Sequence, residues 1–161
     1  MGKLRIRTDI LAPEHKKILK FSGYNPVRFL KIVPKLLKSV LRLSGSKFYE
    51  DKIKWDVSSD KVDFYGEWRG KDDKDGRTSV WGKIKIQGSQ NPNDKKGSLT
   101  IEIKGEMVTE FDYSNFVDKA LYLAYSKLYY SEIRRKYIVK ARKDIEDIEK
   151  ELKKELETMG G

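Results

Sequence analysis

Between residues 114 and 159 the chain contains neither proline nor glycine. Strong helix formers fill the stretch, and Asp112 or Ser114 can cap its start. A helix over 114–157 would be about 66 Å long. A domain of this size is roughly 40 Å across. Such a helix must either project from the body or fold back on it. Its first half is aromatic and aliphatic: Phe116, Val117, Leu121, Leu123, Ala124 and Leu128, with Tyr122, Tyr125, Tyr129 and Tyr130. This half is predicted to cover the apolar face of a sheet. Its second half carries Ile138, Ala141, Ile145, Ile148, Leu152, Leu156 and Met159, close to a heptad seam. Glu146–Lys150 and Glu149–Lys153 support it at i,i+4. Arg134, Arg135, Lys136, Lys140, Arg142 and Lys143 would be hard to bury. Beyond about residue 131 the helix is therefore expected to contact little of its own domain. It reads either as a plain solvent-exposed helix end or as a docking or self-association arm.

Upstream the patterns are shorter. Residues 3–11 alternate, with Leu4, Ile6 and Ile10 opposite Lys3, Arg5, Arg7 and Asp9, as in a half-buried strand. Residues 15–21 suggest a short helix. Asn25-Pro26 opens a helix over 26–43 that stops at Ser44-Gly45. Pro34 inside it predicts a kink, or two short helices meeting near Val33. From 47 to 112 the period is two. One parity carries Ile53, Trp55, Val57, Val62, Phe64, Trp68, Val80, Ile84, Ile86, Leu99, Ile101, Ile103 and Met107. Four consecutive strands with short connections make an antiparallel meander with one wet face. Gly66, Gly82 and Gly105 fall on the apolar parity and suggest bulges or sharp curvature.

The expected class is α+β. A curved antiparallel sheet of four to six strands packs on a long C-terminal helix, with a kinked helix inserted after the first strand. Residues 1–130 form the domain and 131–161 its charged helical extension. The element order, with the opening strand running into Ala12-Pro13-Glu14, resembles the helix-grip fold of the START and Bet v 1-like superfamily over about residues 1–130. That resemblance implies a non-enzymatic binding protein holding a hydrophobic small molecule or lipid between sheet and helix. Trp55, Phe64, Trp68, Ile84, Ile101, Ile103 and Leu123 would line its cavity. The same side chains serve equally as plain core, which needs no ligand.

Charge offers a different function. Lys+Arg is 35 against 25 for Asp+Glu, a net charge of +10. Such a surplus favours anionic partners. From His15 through Lys47 there are nine Lys or Arg and no acid. Arg28, Lys31, Lys35, Lys38 and Arg42 are spaced 3, 4, 3, 4, one face of the helix. This anion-binding stripe would dock on RNA, the ribosome or an anionic membrane surface; the alternative is an ordinary lysine-rich surface helix. Seven acids within 144–157 are a rival sink that could cover the stripe in cis. On the wet sheet face, Tyr65 and Trp81 lie beside Lys52, Lys54, Arg69, Lys83 and Lys85 and could stack nucleobases. Asp56, Asp63, Glu67, Glu102 and Glu106 share that face, so cross-strand ion pairing is the simpler account.

The chain has no cysteine and one histidine, His15. That excludes disulfides, thiolate nucleophiles and Cys- or His-cluster metal sites. The loop 71–76 has Asp73, Asp75 and Gly76 but lacks the outer calcium ligands. No phosphate-binding glycine loop or nucleophile–base pair is visible, so no cofactor, metal or catalytic residue is expected. With no 18-residue apolar run and no signal-peptide pattern, a cytoplasmic protein is expected.

Overall fold

The computed structural model describes residues 2–159. The chain is α+β: a curved, unclosed antiparallel sheet, a helix after its opening strands and a long C-terminal helix. The strands are β1 (Gly2–Asp9), β2 (Lys17–Tyr24), β3 (Phe48–Asp56), β4 (Val62–Asp73), β5 (Thr78–Gln90) and β6 (Lys96–Tyr113). Their order is β1-β6-β5-β4-β3. β1 pairs with 106–113 of β6, and β2 pairs with 96–103 of the same strand. β6 can serve both because it alternates over 18 residues: Leu99, Ile101, Ile103, Met107 and Phe111 are buried while the acids and lysines between them face outward.

β2 replaces the short helix expected over 15–21. Leu19 is buried and Phe21 half-buried, two residues apart on one side. So short an apolar run fits either period, and pairing with β6 selects the strand.

After a 3₁₀ turn at Pro26–Arg28, α1 runs unbroken over Phe29–Leu41 with Pro34 inside it. The expected meeting of two helices near Val33 does not occur. Phe29, Val33, Leu37 and Leu41 recur every four residues and are all buried, which outweighs the single hydrogen bond a proline forfeits. α1 ends two residues earlier than expected, at Leu41, with Arg42 capping it in the left-handed region (φ 53°). The Leu43 N–H reaches back to the Lys38 carbonyl at 2.9 Å, the closing bond of a Schellman cap.

Register passes unshifted through Gly66, Gly82 and Gly105, so none of these marks a bulge; the irregularity lies between Glu50 and Lys52 in β3. Gly70, Gly82 and Gly105 instead stand side by side across β4, β5 and β6. A Cβ at Gly70 would lie 2.3 Å from Leu43, and one at Gly105 2.3 Å from Ile145. The row lets both helices approach the sheet backbone.

The C-terminal helical run comprises α2 (Phe116–Tyr125), a π-helical turn (Ser126–Tyr130) and α3 (Ser131–Met159). Its cap is Asn115, whose side chain accepts from the Asp118 N–H at 2.9 Å, rather than Asp112 or Ser114. The expected roles of the two halves are reversed. Ala141, Ile145, Ile148 and Leu152 are buried in the same core as Ile10, Leu19, Ile101 and Ile103. Phe116, Val117, Leu121 and Leu128 are exposed. The core thus runs across residue 130, and the seam faces the protein's own sheet. Met159, the seam's last member, lies outside the residues whose side chains are described.

The basic residues of α3 find acceptors at its edges. Arg134 donates to Thr109 Oγ1 (3.0 Å) and Thr8 Oγ1 (2.9 Å), and Arg142 to the Ala12 carbonyl (2.7 Å). Burial holds the Arg134 guanidinium below its ordinary value.

Candidate functional site

The residues expected to line a cavity do not share one environment. Phe64, Trp68, Ile84, Ile101 and Ile103 are buried, packed beneath α1 and α3. Trp68, Ile84 and Ile101 touch protein on every side. Trp55 departs from this set: it is 52% exposed on edge strand β3, beside Ile53 and Val57, which are also exposed. Leu123 lies exposed on α2, away from the sheet's covered centre. One polar atom among the buried group is unusual. The Trp68 indole N–H is buried and has no acceptor among the described residues.

The outer sheet face is organised by ion pairs. A broad depression of about 780 Å³ there is lined by Arg5, Arg7, His15, Arg69, Trp81 and Lys104, among others. Arg5 meets Glu110 (2.9 Å), Arg69 meets Asp51 (2.6 Å), Lys83 meets Glu67 (2.9 Å) and Lys104 meets Glu102 (3.1 Å). His15 contacts Asp9 at 2.6 Å. The aromatics are engaged too. Arg69 lies 5.1 Å from the Tyr49 ring and 5.2 Å from the Trp81 ring, and Lys52 and Lys85 flank Tyr65. The Lys83 ammonium and the Tyr65 hydroxyl, both bonded to Glu67, hold its carboxyl below the usual range. Charge and stacking capacity on this face are largely spent inside the fold.

The α1 stripe differs. Its packed side, Phe29, Val33, Leu37 and Leu41, faces the sheet, which turns Lys31, Lys35, Lys38 and Arg42 to solvent. Among the described residues, no carboxylate lies within 4.0 Å of these four cations. Lys38 rests 4.4 Å from the Phe48 ring centroid. Arg28, the fifth member, is withdrawn. It lies 3.3 Å from Glu155 of α3 and donates to Thr158 at 3.1 Å. The acidic tail thus captures one end of the stripe and leaves the rest open.

A further cluster, which sequence spacing gave no sign of, ties the π turn to the β4–β5 hairpin. The Tyr130 hydroxyl donates to Asp75 and lies 2.8 Å from Thr78 Oγ1, and the Tyr137 hydroxyl donates to Asp75 at 2.9 Å. Burial, reinforced by the bond to Asp75, pushes Tyr130 up to about 12. A phenol so held stays protonated at neutral pH and ties the π turn to the hairpin.

No helix among the described residues is long and apolar enough to cross a membrane. No family model and no curated protein matches the chain. It is similar to a solved structure of a protein of unknown function from Staphylococcus aureus, at 11% identity and a TM-score of 0.30, over 94% of this chain and 97% of that one. An uncharacterized protein from Rhizobium leguminosarum matches at 6% identity and a TM-score of 0.18, over 79% and 91%. Likenesses this weak carry no argument about function.

Proposed function

We propose that the protein is a non-enzymatic docking module that binds phosphate-bearing surfaces through α1. The observation that carries this reading is the contrast in how its cations are used. Most of those on the outer sheet face have carboxylate partners, whereas Lys31, Lys35, Lys38 and Arg42 have none among the described residues. Four such charges at 4, 3, 4 spacing span about 16 Å of helix, so their fields add along a line of phosphates. Displacing counterions from those phosphates drives binding and makes it salt-dependent.

Filter binding to single-stranded RNA and flotation with phosphatidylglycerol vesicles, each across a salt series, test the reading and separate the two phosphate sources. A Lys31/Lys35/Lys38→Gln variant is expected to reduce the logarithmic salt slope by about 2, at roughly 0.7 per lost contact. Identical curves for wild type and variant, or no binding to either probe, would overturn it.

A second reading has one observation in its favour. The acceptorless Trp68 N–H is what a hydrophobic ligand with one polar group would satisfy. It requires α1 or α3 to lift from the sheet, because Trp68 and Ile84 are fully covered. Native mass spectrometry of freshly purified protein reads any such guest directly.

A further inference from the structure

α2 and the π turn that continues it present an apolar surface to solvent. Phe116 is 85% exposed, Leu128 72%, Val117 67% and Leu121 62%, and Ala120 and Ala124 are exposed between them. The opposite side of the helix is occupied: Tyr122 stacks on Phe111 at 4.9 Å, with Tyr125 at 6.3 Å. Contiguous exposed apolar area of this kind marks an interface.

The order of side chains along the ridge indicates what covers it. Phe116, Ala120, Ala124 and Leu128 follow one another at intervals of four, large, small, small, large. Such i±4 rows pack into one another at a crossing angle of about −50°. Where two helices cross, their backbones are closest and alanine fits. Away from the crossing they diverge and bulky side chains fill the wedges. The ridge reads the same from either end, so two antiparallel copies place small side chains together at the crossing and large ones together at its ends.

From this self-complementarity we infer that α2 is the docking surface for a second copy of the chain, with the two-fold axis passing between Ala120 and Ala124. The two α2 helices cross antiparallel. Ala120 of each copy meets Ala124 of the other, and Phe116 meets Leu128. Lys127 then falls opposite Val117 and beside Asp118 of the other copy, so the charges at the rim attract. The four large side chains leave roughly 500 Å² uncovered per copy, so complete coverage in a pair buries about 1,000 Å², the lower bound for a specific interface. The inference is independent of anion binding, since α1 takes no part in the contact.

Sedimentation equilibrium of the full-length chain across micromolar concentrations tests it. Wild type is expected at twice its 18.8 kDa chain mass. Ala124→Glu, which puts a charge at the crossing, and Leu128→Ser, which empties a wedge, are each expected to weaken the dimer at least about 30-fold. Both sites are exposed, so thermal unfolding of the dilute monomer stays unchanged. A monomeric wild type at about 100 µM, or dimers unaffected by both variants, would overturn the inference. So would a monomer that floats with neutral phosphatidylcholine vesicles and loses that binding on Ala124→Glu, since the ridge would then face a bilayer.

Discussion

Two aspartates at the margins of the core show how the same side chain acquires opposite effects. Asp75 accepts from the Arg77 and Thr78 N–H groups at 2.7 and 2.8 Å and from two tyrosine hydroxyls. Burial alone would raise its carboxyl, but these donors outweigh it and hold it below the ordinary value. Its contribution is full above the unfolded carboxylate value of about 3.9 and is lost as pH falls through the lower folded value. Asp144 sits nearly buried on α3, and desolvation raises it against the opposing charges of Lys140 at 3.8 Å and Lys74. Its charge therefore costs stability at neutral pH, and the fold gains as pH drops through the raised value. Asp75→Ala is expected to lose about 1–3 kcal/mol at pH 7, the cost of stranding buried donors. Asp144→Asn is expected to raise the melting temperature at pH 7, with the advantage shrinking as pH falls into the carboxylate range. Melting curves from pH 3 to 8 check both; the same sign for the two variants would refute the assignment. Neither role was legible in the sequence, because Asp75 depends in part on Tyr130 and Tyr137, and Asp144 on burial near Asp72 and Lys74, all far along the chain. Trp55 and Trp68 make the same point. They share an apolar parity, yet only Trp68 lies under a helix, and parity does not say which strand is the edge.

Among the elements, those with long, clean periods were readable. The β3–β6 meander and the amphipathic α1 follow from alternation at two and at about 3.6, which are local properties. What stayed hidden was phase. The π turn at Ser126–Tyr130 spreads its residues over a wider turn and brings Tyr130 onto the inward side with Tyr122 and Tyr125, 6.2 Å from Phe111. From Tyr130 onward, Arg134, Ala141, Ile145, Ile148 and Leu152 continue along that side. A slip of this size leaves composition unchanged, so the exposed and covered halves of the helix were read the wrong way round. The end of α1 carries a conflict of another kind. Arg42 occupies a left-handed position where glycine is the commonest residue, so the stripe's last cation stands where the backbone strains a side chain. Arg42→Gly is expected to stabilise the fold by about 1 kcal/mol while weakening RNA or vesicle binding. Chemical denaturation and filter binding on the same preparation read the two effects. A less stable variant would refute the strain at this position, and one that binds as well as wild type would remove Arg42 from the docking stripe.

At the scale of the whole molecule, one sheet face is closed by two helices that meet at their ends, where Arg28 of the 3₁₀ turn grips Glu155 near the close of α3. The glycine row beneath them allows the end of α1 to seat Leu43, just past its cap, on Gly70 and α3 to seat Ile145 on Gly105. A chain read from its charges alone would end its body near residue 130, since α3 has so many lysines, arginines and acids. Its apolar seam is narrow but wholly committed: Ala141, Ile145, Ile148 and Leu152 each have less than 3% of their surface exposed. Three of these are large aliphatic side chains worth about 1.5–3 kcal/mol apiece on burial, and removing them uncovers Ile10, Leu19, Ile101 and Ile103 as well. That loss is comparable to the entire stability of about 5–15 kcal/mol expected of a domain. Deleting 141–161 is therefore expected to abolish cooperative unfolding, and Leu152→Ala alone to cost about 2–5 kcal/mol. The single substitution keeps the test informative if the truncated chain cannot be purified. Thermal melts followed by near-ultraviolet circular dichroism, which reports tertiary packing around Trp68, are the measurement. A deletion that melts like wild type, or a Leu152→Ala loss below about 1 kcal/mol, would mean that α3 leaves the sheet in solution and the core stops at residue 130 after all.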